Sequence, residues 1–183
     1  IPAGADGAPF FLAKHELTCG QWSRLAGEWE VSPRDAQSVL AVDRLPWTQC
    51  VSRLRAVGGW IRLPTAEEWM RAMNAGRDPG WLVDAGDAAI SAEGTLGPGR
   101  HGPIDQAGAN PFGLCEMLGG VREWTADRAT TGTRVNSDVR ARVVMGWAFT
   151  STHSQVRASR PDLCDERKPH SEVGFRIARD LMP

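Results

Sequence analysis

The chain contains no tyrosine, no apolar run approaching the ~18 residues of a membrane span, and no CxxC pair. Each absence removes a class of protein. A formal charge of −1 over 183 residues leaves no basic footprint for nucleic acid or for an anionic membrane. Cys19, Cys50, Cys115 and Cys164 lie far apart, so their spacing does not suggest a zinc site. Cys19, Cys50 and Cys115 read as small buried hydrophobes, and two disulfides or four reduced thiols remain equally open. His15, His101, His153 and His170 show no paired metal-ligand spacing on a predicted element. Ser151, Ser154 and Ser159 lack the Gly-x-Ser-x-Gly elbow of a hydrolase nucleophile. No signal peptide is visible. A start at Ile1 reads as a domain cut from a longer protein, so targeting stays unread.

What is present is tryptophan, eight residues of it, a side chain that fills large spaces and needs one partner for its N–H. That suits one loop-rich domain over 1–183. The organising stretch is Asn110 to Asp127, where Gly113 and Gly119-Gly120 are interleaved with Phe112, Leu114, Met117 and Trp124. Glycine serves where φ is positive or backbones approach closely, so the stretch reads as an irregular buried segment. Asn110, Glu116, Glu123 and Asp127 are placed to satisfy its backbone groups.

Around it, Phe10 to Ala13 reads as a strand. Thr18 with Gln21, and Thr65 with Glu68, have the spacing of capping boxes opening helices. Ser32-Pro33 marks a further helix start. A helix after Trp47 turns Cys50, Val51, Leu54 and Val57 to one face and stops at Gly58-Gly59. Residues 77–109 and 150–171 read as long loops. Arg142 to Phe149 and Val173 to Ala178 read as strands. Glu16, Glu67 and Glu68 with Arg62 and Arg176 read as ion pairs pegging the loops together.

Four stretches then resemble the formylglycine-generating enzyme (sulfatase-modifying factor) family in order: Lys14 to Thr18, Arg62 to Trp69 (RLPTAEEW), Asn110 to Trp124 (NPFGLCEMLGGVREW) and Gly174-Phe175-Arg176. The resemblance implies an α+β, C-type-lectin-like fold with little regular secondary structure, small antiparallel sheets and peripheral helices. Active family members carry two copper(I)-binding cysteines after the strand equivalent to Met145 to Phe149. Here Ser151 stands where the first would be, and no cysteine occurs between Gly146 and Arg160. Copper is therefore not expected. The resemblance also implies a calcium site using Glu123 and the backbone at Gly120 and Val121, although Gly120 replaces an asparagine that would supply an oxygen.

The sequence reading is thus a catalytically inactive, bacterial member of the family, cytoplasmic or periplasmic. It binds a peptide or protein partner, or another domain of its own longer chain, through the loop face once used for catalysis. Trp147, Phe149, Ser151, His153, Gln155, Arg157 and Arg160 mix aromatic and arginine character on that face. The alternative is an accessory oxidoreductase of different chemistry on the same scaffold, resembling siderophore-maturation relatives. Nucleic acid and membrane are not expected partners.

Overall fold

The computed structural model describes residues 1–4, 7–27, 39–97, 102–129, 140–158 and 161–181. The expected helix start at Ser32-Pro33 lies outside the described residues, as does Arg160.

Local signals form the first helices. Thr18 closes a full capping box with Gln21 at the head of α1 (Cys19–Ala26), and Gly27 ends it in the left-handed region. Helix α2 (Trp47–Ala56) buries Cys50 and Leu54. Thr65 and Glu68 cap α3 (Ala66–Asn74), which turns Trp69, Ala72 and Met73 inward. Two short helices, α4 (Trp81–Asp84) and α5 (Asp87–Glu93), occupy the stretch read as loop, each started by a glycine without a side-chain cap.

The strands β1 (Phe10–Leu12) and β6 (Ala178–Asp180) pair antiparallel and bring the two ends of the described chain together. A four-stranded sheet runs in the order β4 (Asp162–Asp165), β3 (Ala141–Met145), β2 (Arg122–Arg128), β5 (Val173–Gly174). Its β2–β5 pair is parallel and the other pairs are antiparallel.

Several expectations shift. The second half of the organising segment is not irregular: it is β2, an inner strand of this sheet, with Glu123, Trp124 and Thr125 all buried. The strand expected over 142–149 ends at Met145 because Gly146 turns the chain at φ 80. The terminal strand divides into β5 and β6 around Phe175 to Ile177, where Arg176 turns into the core. Helix α6 (His153–Arg157) and strand β4 lie in the second stretch read as loop.

Two large apolar clusters result, one around Trp22, Leu54, Trp124 and Phe175, the other around Trp69, Met73, Met117 and Trp147. All four cysteines are free. Burial pushes the Cys50 thiol up to about 12 and the Cys164 thiol up to about 11, as befits side chains used for packing.

Candidate functional site

The site rests on a buried clamp. Arg176, fully buried, donates from Nε to both Glu123 oxygens at 2.9 and 2.8 Å and from Nη2 to Oε1 at 2.7 Å. Its remaining donors reach the carbonyls of Ala13, Lys14 and Cys115 at 3.3, 3.2 and 3.1 Å. Every face of the guanidinium fork is thereby occupied. The indole of Trp69 donates to Glu123 Oε2 at 2.8 Å, fixing α3 to the same carboxylate. Burial works against the charge on Arg176, but Glu123 and, more weakly, Glu16 favour it, and its pKa is raised on balance.

Glu16 completes the centre. Its Oε1 accepts from the Val121 amide at 2.7 Å. Burial, and then the neighbouring Glu123 charge, push its carboxyl well above the usual range. A Cβ at Gly120 would lie 2.2 Å from Glu16 Oε1, and Gly120 sits at φ 66. The glycine found where the resemblance led us to expect asparagine and the inward-turned Glu16 are therefore one arrangement.

These donors do not fit the calcium ion expected at Glu123, Gly120 and Val121. Calcium needs six or more oxygens, yet both Glu123 oxygens already face a buried guanidinium and an indole N–H. The Gly120 carbonyl accepts from Phe149 N at 2.8 Å. Of the other segment residues, Asn110 does accept from Phe112 and Leu114, and Glu116 from Thr95 and Ala107. Asp127 accepts from Ala66 at 2.6 Å. Arg62 pairs with Glu68 at 2.7 Å and with Asp180, whereas Glu67 stays exposed.

Above the clamp, two cavities meet at Trp147. One, about 320 Å³, is lined by Trp69, Met70, Met145, Trp147 and Pro161, with Glu67 the carboxylate at its margin. The other, about 430 Å³, is lined by Arg122, Thr150, Ser151, Gln155, Asp162 and Glu172 beside Trp147 and Pro161. Gly146 shapes their junction, because a Cβ there would press on the Trp69 ring at 3.1 Å. No cysteine lines either cavity.

The residues expected on the loop face divide between these cavities and other neighbours. Trp147, Ser151 and Gln155 line the polar cavity. Trp147 is only 8% exposed and donates to the Gln155 carbonyl at 3.1 Å. The Ser151 hydroxyl accepts from Ala148 N at 3.1 Å, closing the turn. Phe149 is buried against Ala41 and Val121 and lines neither cavity. His153 pairs with Ser91 Oγ at 2.8 Å and fastens α6 to α5, and Arg157 reaches the Ala85 carbonyl at the end of α4 at 3.0 Å and the Asp87 carboxylate of α5. The sequence reading missed Arg122, Asp162 and Glu172 because they are charged residues on β2, β4 and a turn that only strand pairing brings together. Met70 is half-buried and lines the apolar cavity.

A loop-rich α+β scaffold pinned by a buried Glu–Arg clamp, with a cleft beneath its loop face, defines a C-type-lectin-like protein of the formylglycine-generating-enzyme type. The chain belongs to the sulfatase-modifying factor enzyme 1-like domain family, whose profile matches residues 5–181. No curated protein matches it significantly. Among solved structures it is similar to variable protein 1 of Treponema denticola, with a TM-score of 0.77 at 18% identity, covering 95% of this chain and 85% of that one. It is also similar to CarF, with a TM-score of 0.76 at 18% identity, covering 98% and 89%. PvdO from Pseudomonas aeruginosa gives a TM-score of 0.74 at 17% identity, covering 95% and 81%. At these identities the likeness establishes the fold. No described helix is long and apolar enough to cross a membrane.

Proposed function

We propose that this domain is a non-catalytic binding module that takes an extended peptide segment of a partner protein across the cleft at Trp147. The observation that carries the reading is the division of that cleft. The apolar cavity between Trp69, Met70, Met145 and Trp147 suits one large apolar anchor side chain. The adjoining cavity is walled by polar groups already held in place, Arg122 by Asp162, Thr150 by Glu172 at 2.9 Å and Ser151 by the Ala148 amide at 3.1 Å, a fixed polar rim for the peptide on either side of that anchor. The loss of both copper-ligating cysteines from the 146–160 segment supports binding over oxidation, because soft thiolates are what hold copper(I).

The test is selection from a displayed library of random peptides against the purified domain. The expected outcome is enrichment of sequences sharing one large apolar residue. Failure to enrich any sequence, or uptake of one equivalent of copper with oxidation of a cysteine peptide, contradicts the reading.

A further inference from the structure

Away from the cleft, three side chains of different donor chemistry converge. His15 lies just beyond β1, Asp105 in the 102–109 loop, and Cys115 in the organising segment. One ligand atom from each lies within 4.8 Å of the others. The Cys115 thiol donates to Asp105 Oδ1 at 3.5 Å, and His15 Nε2 stands 3.9 Å from the same oxygen. Tetrahedral bonds of ~2.0–2.3 Å put ligand atoms roughly 3.3–3.6 Å apart, so two of the three edges are already near that span.

We propose that His15, Asp105 and Cys115 form a binding site for a divalent cation of the zinc class, with a fourth position left to solvent. Backbone geometry holds the ligands in place before any ion arrives. The Cys115 amide donates to the Lys14 carbonyl at 3.0 Å. Arg176 then grips the Lys14 and Cys115 carbonyls together at 3.2 and 3.1 Å. The buried clamp thus sets the spacing between His15 and Cys115. The loop carrying Asp105 is tied in by the Ala107 amide, which donates to Glu116 Oε1 at 3.1 Å.

His15 turns Nε2 towards Asp105, which makes it the ligating nitrogen, and the other ring nitrogen, Nδ1, is buried without a hydrogen-bond partner. A thiol, an imidazole and a carboxylate together favour zinc over calcium or magnesium, which take oxygen alone. The Asp105 side chain is 60% exposed, which leaves the ion a route in from solvent. Lys14 Nζ, 4.0 Å from Asp105, is the competing cation, and its 56% exposed side chain is free to turn into water.

Chain spacing gave no hint of this site. His15 and Cys115 are brought side by side only by the pairing of their backbones.

The probe is cobalt(II) titrated into tag-free protein, followed by near-ultraviolet thiolate-to-cobalt absorption. One saturating equivalent is expected, with the band lost in Cys115→Ser and binding weakened in Asp105→Asn. Asp105→Asn changes an exposed side chain, so it keeps the test valid where Cys115→Ser unfolds. Zinc is expected to protect Cys115 from alkylation in the same protein. Absence of a saturable band, a band that survives Cys115→Ser, or unchanged binding by Asp105→Asn overturns the proposal.

Discussion

Glu16 is a carboxyl buried beside a second carboxylate, and its consequence is a pH dependence of known sign. Its pKa in the folded protein is raised well above the ordinary 4.5 of a glutamate, first by burial and then by the Glu123 charge. The stability it contributes is therefore complete below about pH 4.5 and is lost as pH rises through the folded value. Glu16→Gln keeps an oxygen for the Val121 amide and cannot ionise. The difference in unfolding free energy between Glu16→Gln and the natural chain should grow in favour of the variant from pH 4.5 towards pH 8, measured by urea denaturation at each pH. A difference that stays constant across that range contradicts the account. At this scale the sequence was only partly legible. Asn110 and Glu116 serve backbone amides as their positions implied. Glu123 binds Arg176, 53 residues further along, a partner that no local pattern singles out.

Between elements, legibility followed the reach of the signal. Helices α1 and α3 announce themselves through side chains three residues apart. Helix α6 carries the same signal, Thr152 with Gln155, and a stricter scan for capping boxes would have found it. Helices α4 and α5 begin at glycines without side-chain caps and had no such mark. Strand β2 was missed because its buried positions include Glu123 and Thr125, which an apolar alternation does not pick out. What makes a polar strand viable in the core is Arg176, which also holds the chain beyond β1 and the turn at Cys115. Arg176→Met removes one partner of a buried pair and strands the other. The expected loss is about 3–5 kcal/mol by denaturant unfolding. A loss under about 1 kcal/mol, the range of exposed ion pairs, would show that the clamp does not hold these elements together.

For the whole molecule, the family was legible because its motifs are the clamp and its surroundings: Glu16, Arg62 to Trp69, Glu123-Trp124 and Arg176 all lie at the points where elements are tied together. The cleft was less legible because it is assembled from residues that serve α3, β2, β3, β4 and the 146–152 turn separately. Trp147 was visible as part of it, while Met70 and Arg122 were not. The claim that the cleft is a peptide site is tested most directly by fluorescence anisotropy with a peptide selected on the natural domain, comparing it with Met70→Glu. Met70 lines the apolar cavity and is half-buried, so a carboxylate there should weaken binding about tenfold or more, equivalent to about 1.4 kcal/mol, while the thermal midpoint stays close to that of the natural chain. Equal affinity for the two proteins would contradict the account.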